Sequence, residues 1–171
     1  MERKRSIQKD DMHQKDDMHM SSLPLRVSSF SELLRAALGD QLDPTAETLL
    51  DMVSADIVFE FPYAPVGSIR RLEGKRALAD HLAKFTGLFS LDSLSLHAVH
   101  RSTDDVTSVV QFECDGQGLA TGRRYLQRYI SVIRVEDGRI VHYQDYWNPQ
   151  MVIEAVGGSE AFARAFADGA A

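Results

Sequence analysis

The sequence predicts an α+β fold: a cone-shaped, strongly curved, mixed or antiparallel sheet wrapped around three N-terminal helices. Three observations carry that prediction. Apolar residues recur at helical intervals up to residue 86, and from residue 93 to 147 they recur at strand intervals instead. The breaks between those strands are short and rich in Asp and Gly. Tight hairpins leave no room for the crossovers of a parallel βαβ sheet, so the strands should form a meander whose inner face closes on the helices.

Ser29-x-x-Glu32 has capping-box spacing, and Phe30, Leu33, Leu34, Ala37 and Leu38 follow at helical intervals until Gly39 stops them. Asp43 with Pro44 predicts the start of a second helix, whose buried stripe is Ala46, Leu49, Leu50 and Val53. Ile57, Phe59 and Phe61 alternate along a strand over 56–61 that Pro62 ends, and 63–73, holding Pro65 and Gly67, reads as a loop. Leu78, His81, Leu82 and Phe85 mark a third helix from Gly74 to about Thr86. Strands are then expected over 93–100, 106–115, 123–136 and 139–147, with turns at 103–105, at Asp115-Gly116-Gln117-Gly118 and at Asp137-Gly138. A last short helix, Pro149 to Val156, closes with Gly157-Gly158.

A chain of 171 residues, 44% hydrophobic and 26% charged, has the balance of one globular domain. We place it at 25–160, between a flexible N-terminal arm over 1–24 and a C-terminal tail over 161–171. The arm repeats QKDDMH at 8–13 and 14–19, and its near-absence of branched apolar residues leaves it little to bury. His13 and His19 lie beside paired aspartates there, but a solvated tail outweighs a metal site; Met20 is an alternative start. A net charge of −6 argues against a nucleic-acid partner, which would need a basic face. No run reaches the roughly 20 apolar residues of a membrane span. One cysteine, Cys114, permits no internal disulfide, so a cytoplasmic protein is expected.

Asp137-Gly138, taken as a two-residue turn, pairs Val132 with Tyr143 and Ile130 with Asp145, which puts Arg128, Ile130, Val132, Val141, Tyr143, Asp145 and Trp147 on one face. Asp145 is then a carboxylate amid aromatic and branched residues, where desolvation raises its pKa toward the range useful for proton transfer. The other reading pairs it with Arg128 or leaves it at a wet rim. His81 lies on the apolar face of the third helix, either as a satisfied core residue or as the partner of Asp145 in an acid–base pair. Trp147, Tyr143 and Phe59 would wall the chamber. Arg70, in the loop at its mouth, is a candidate for holding an anionic substrate, though loops are usually just polar. Glu113 and Asp115 read as rim carboxylates, and His97 and His100 fall on opposite faces of one strand. The second face, with Tyr129, Ser131, Ile133, Val135, Ile140, His142, Gln144 and Tyr146, reads as too apolar to stay wet, which predicts a homodimer through the outer sheet. The sequence shows no phosphate loop, metal-ligand cluster or dinucleotide fingerprint.

Glu113-Cys114-Asp115-Gly116 with Gly118, then Asp137-Gly138-Arg139-Ile140 and Asp145-Tyr146-Trp147-Asn148-Pro149, resemble in order and spacing the SnoaL-like branch of the nuclear-transport-factor-2-like superfamily. Within it the likeness is greatest to the phenazine-biosynthesis A/B proteins, over roughly residues 28 to 158. The resemblance implies a dimeric cone without metal or organic cofactor, in which an acid and a histidine act on a small, carbonyl-bearing organic substrate. It places the acid at Asp145, where those proteins have Glu, and the histidine at His81. The segment Gly118 to Arg124 is shorter and less aromatic than in that family, so its substrate does not carry over. The function expected is cofactor-free condensation, cyclisation or isomerisation beside a carbonyl, and the rival is a non-catalytic binding or assembly module of the same fold.

Overall fold

The structure, a computed structural model, describes residues 24–166. The QKDDMH repeat, His13, His19 and Met20 lie outside the described residues, as do 167–171 of the expected tail. In chain order the elements are β1 (Leu25–Val27), α1 (Phe30–Leu38), a 3₁₀ turn (Gly39–Gln41), α2 (Leu49–Met52), β2 (Val53–Glu60), β3 (Arg71–Glu73), α3 (Lys75–Thr86), β4 (Phe89–Arg101), β5 (Thr107–Gly118), β6 (Arg124–Glu136), β7 (Arg139–Tyr146), α4 (Pro149–Val156) and α5 (Ser159–Phe166). The strands form one mixed sheet in the order β1-β4-β5-β6-β7-β2-β3, antiparallel except where β2 runs parallel to β7. This is the α+β class expected, with β1 and β3 added at the two edges.

Helix α1 forms as its spacing predicts. Ser29 accepts from the Glu32 amide, Glu32 returns to Ser28 rather than to Ser29, and Leu33, Leu34, Ala37 and Leu38 are buried on the sheet. The second helix is shorter than expected. Tertiary ties hold 43–46 as a turn: Asp43 N–H donates to Gly138 O, the Arg35 guanidinium donates to the Asp43 and Ala46 carbonyls, and the Asp43 carboxylate accepts from Thr45 and Arg139. The helix therefore starts only at Leu49, under a capping box of Thr48 and Asp51, and Val53 already belongs to β2.

The expected turn at 115–118 is instead strand. Gly116 and Gly118 serve close approach: a Cβ on Gly116 would lie 2.0 Å from Ser90 O, and one on Gly118 2.1 Å from Ala155 O, on helix α4. The tail expected from 161 is likewise structured through 166. Gly157 ends α4 in the left-handed region, Gly158 turns the chain back, and α5 buries Phe162.

The register of the last hairpin departs from expectation by one residue. Glu136 pairs with Arg139 and Val135 with Ile140, but Arg134 then pairs with His142, leaving Val141 as a β-bulge. Beyond it Ile133 faces Tyr143 and Ser131 faces Asp145. The inner face of β6 is therefore Tyr125, Gln127, Tyr129, Ser131, Ile133 and Val135, and Arg128, Ile130 and Val132 point outward, the reverse of the expected sides. Ser131, Ile133, Val135 and Ile140, counted above as the apolar outer face, are core residues.

Because Gly118 lets α4 sit directly on β5, Gly118→Ala should lower stability by about 1–3 kcal/mol through overpacking. A urea midpoint equal to that of the parent chain would show that α4 can move aside.

Candidate active site

The inner sheet face, α3 and α5 enclose a cavity of about 320 Å³. Cross-strand pairing builds its floor: Phe112 of β5 stacks on Tyr129 of β6 at 4.6 Å and 7°, with Asp145 and Trp147 alongside. Helix α3 supplies Leu78, His81, Leu82 and Phe85, and α5 supplies Phe162 and Phe166. The Ile69 amide donates to Phe166 O and ties the end of α5 to the loop before β3. Gln127 clamps the far end of β7 by donating to Asn148 O at 2.9 Å and accepting from the Asn148 amide at 3.1 Å, while Asn148 caps α4. That clamp fixes Trp147 beside the carboxylate.

Asp145 is the one acid lining the cavity, and no Lys or Arg lines it among the described residues. The residue is partly buried. Ser131 Oγ donates to Asp145 Oδ1 at 2.8 Å, and Tyr143 OH donates to Ser131 Oγ at 2.9 Å. Burial pushes the Asp145 carboxyl up to about 7, against a smaller downward pull from the Ser131 bond. At neutral pH it can thus either take or give a proton.

His81 packs against Phe61 at 4.9 Å and Phe166 at 6.4 Å. Burial, aided by Lys84, pushes its pKa down to about 4, so the imidazole is neutral at physiological pH. Its Nδ1 is buried without a hydrogen-bond partner among the described residues. Tyr125 and Tyr129 also line the cavity, and their hydroxyls are hydrogen-bonded to one another. Burial pushes both phenols up, so they stay protonated, and the pair keeps one O–H free to donate. Cys114 shares the wall as a thiol, its pKa pushed up to about 12 by burial.

The structure thus brings Asp145, His81, Phe59 and Trp147 to one cavity. Tyr143 stands behind the wall, fully buried and stacked on Phe59 at 4.3 Å and 8°. Neither Arg128, expected on the face of Asp145, nor Arg70, expected to hold an anionic substrate, lines the cavity, a correction to both expectations. Arg128 lies outside the sheet with its side chain 81% exposed, bonded to Glu113 at 2.9 Å, because the bulge reverses its strand's parity. Arg70 is in the solvated loop, bonded to Pro62 O. Tyr125, Tyr129 and Ser131 went unpredicted for the same reason of parity; only a bulge inferred at Val141 would have turned them inward. Among the described residues no three potential metal ligands converge, and no helix is long and apolar enough to cross a membrane.

The two buried titrating groups bias stability in opposite directions. Asp145 binds its proton more tightly folded, at about 7, than at the ordinary 3.8, so its burial costs progressively more as pH rises between those values. His81, at about 4 against 6.5, loses stability as pH falls through that window. In thermal unfolding, Asp145→Asn should match the parent near pH 4 and exceed it increasingly up to about pH 8, by several degrees. A gain that does not change with pH would mean that the carboxyl is not desolvated.

The SnoaL-like domain profile matches residues 35–143. The uncharacterised protein YesE of Bacillus subtilis is 44% identical over 128 residues, spanning 75% of this chain and 87% of YesE. An uncharacterised PhzA/B-like protein of Pseudomonas aeruginosa is 35% identical over 114 residues, 67% of this chain and 80% of its own. The crystal structure of a proposed isomerase from Bacillus subtilis, 44% identical, superposes with a TM-score of 0.64 over 75% of this chain and 92% of that one. With the profile covering more than half its length and such relatives aligned over most of theirs, this chain belongs to the SnoaL-like family.

Proposed function

We propose that this chain is a cofactor-free acid–base enzyme of small-molecule metabolism, acting beside the carbonyl of an uncharged, largely apolar substrate in a condensation, cyclisation or isomerisation. The observation that carries this reading is a carboxyl tuned to about 7, with no cation beside it among the described residues, in an aromatic-lined cavity that also holds a neutral histidine. Asp145 would remove a proton from the carbon next to the carbonyl and return it at another atom. The free O–H of the Tyr125–Tyr129 pair, or the His81 imidazole, would donate to the carbonyl oxygen as charge develops there. Phe59, Trp147 and Phe112 would stack a planar substrate and keep water out. An anionic substrate does not suit the cavity: Asp145 would repel it, and Arg70 and Arg128 are outside. The name given to the Bacillus subtilis structure supports the isomerase form of the proposal. The cytoplasm is the compartment that goes with it.

A second copy packed on the outer sheet face is the partner this reading takes. Ile130, 48% exposed, lies there with Val109 and Val132 amid the Glu113–Arg128 and Asp115–Arg124 pairs. Light scattering is expected to report twice the chain mass, and a monomer would remove the partner.

5-Nitrobenzisoxazole is a flat, uncharged probe that a carboxylate opens by removing its one ring C–H proton next to nitrogen, breaking the N–O bond and releasing a coloured nitrophenolate. The chain should open it with saturation, at a rate that rises through a midpoint near pH 7, and Asp145→Asn should lower the rate by about 10²–10⁴. Binding of the probe with no opening above the buffer rate would replace the enzyme by a non-catalytic binding module.

A further inference from the structure

We propose that Ser131 and Tyr143 are positioning residues of this site, a chain of two buried hydroxyls that clamps Asp145 Oδ1 and leaves Oδ2 as the oxygen that meets the ligand. The inference deepens the acid–base reading of Asp145 and rests on it for its functional meaning. Its geometry stands apart from that reading. Ser131 and Tyr143 are both fully buried, on neighbouring strands, and the Tyr143 ring is held flat against Phe59. Among the described residues the Asp145 carboxyl has one hydrogen-bond partner, Ser131, at Oδ1.

Proton counting fixes the direction of the chain. An ionised carboxylate only accepts, so the single Ser131 proton goes to Oδ1 across 2.8 Å, and Tyr143 must then donate to Ser131 across 2.9 Å. When Asp145 takes up a proton at Oδ2, Oδ1 still accepts from Ser131, so the chain keeps its direction in both states. The bond to the ionised form is the charge-assisted one, and the stronger. The clamp therefore holds the carboxyl nearer neutrality than burial alone would leave it, while fixing its plane against the floor of the cavity.

The titratable groups around Asp145 are Tyr125 and Tyr129 on β6, Tyr143 on β7, Cys114 on β5 and His81 on α3. Of these only His81 changes charge well below neutrality, and its midpoint near 4 is far enough away to leave the Asp145 titration separate.

The test is the titration of the Asp145 side-chain carboxyl by carbon-detected NMR in labelled full-length protein, the signal assigned by its loss in Asp145→Asn. Ser131→Ala should move the midpoint up by about one pH unit, the worth of a lost charge-assisted bond. Tyr143→Phe keeps the stacked ring and should move it less, in the same direction. In the Ser131→Ala background the Tyr143→Phe change should have no further effect, because its influence travels through Ser131. With 5-nitrobenzisoxazole as the probe, both variants should lower kcat with KM unchanged, the pH–rate midpoint following the NMR value. An unmoved midpoint in Ser131→Ala, or additive shifts in the double variant, overturns the clamp while leaving opening of the probe by the parent chain intact. If the midpoints shift as described but the parent chain does not open the probe, the enzyme reading fails and the clamp on Asp145 stands.

Discussion

An uncompensated carboxyl inside an apolar cavity is the constraint around which this structure is arranged. Taking such a group out of water is costly, and proteins ordinarily offset the cost with a cation or by protonation. Among the described residues no cation lines the cavity, and the group resolves the cost by moving its own pKa to about 7. That outcome needs a wall that neither yields nor hydrates. The stacked pairs Phe59–Tyr143 and Phe112–Tyr129 supply it from the sheet, and α3 and α5 cover it from the other side.

A single extra residue decides what the carboxyl meets. The hairpin begins in the register that its Asp-Gly turn dictates and loses it at Val141. Without the bulge, Asp145 would face Ile130 and share its side of the sheet with Arg128, and an Arg–carboxylate pair in reach would have held the acid ionised. With the bulge it faces Ser131, a neutral donor, and Tyr129 comes in beside it. A one-residue slip exchanges every side chain of a strand between faces, so this local irregularity selects between a charged pair and a tunable acid.

Much of the fold was legible because it rests on local patterns. The cap at Ser29, the stop at Gly39, the apolar face of α3 and the Asn148-Pro149 start of α4 are each written within a few neighbouring residues, and each element formed where its pattern lies. What the sequence hid was set by distant contacts. Nothing near Asp43 announces that Gly138, Arg139 and Arg35 will hold it in a turn, and Gly116 and Gly118 look like turn residues until Ser90 and Ala155 are seen pressed against them. The site divides the same way. Asp145 and His81 were found from apolar surroundings along their own elements, whereas Ser131, Tyr125 and Tyr129 depend on a bulge that only the packed sheet reveals.

The sheet also explains why, among the described residues, no Lys or Arg lines the cavity. On β5 and β6 the charged residues share one parity: Glu113 with Arg128 and Asp115 with Arg124 pair across the outer face. The intervening positions, Cys114, Gln127 and Tyr125, turn inward, and none of them carries charge at neutral pH. Strand alternation thus sorts charge from chemistry, leaving the outer face ionic and the inner face with neutral donors and one acid. In this chamber hydroxyls, an uncharged imidazole and aromatic rings surround Asp145. The interior can therefore engage a polar ligand only through hydrogen bonds, and the uncharged substrate proposed for it would follow from the parity of two strands.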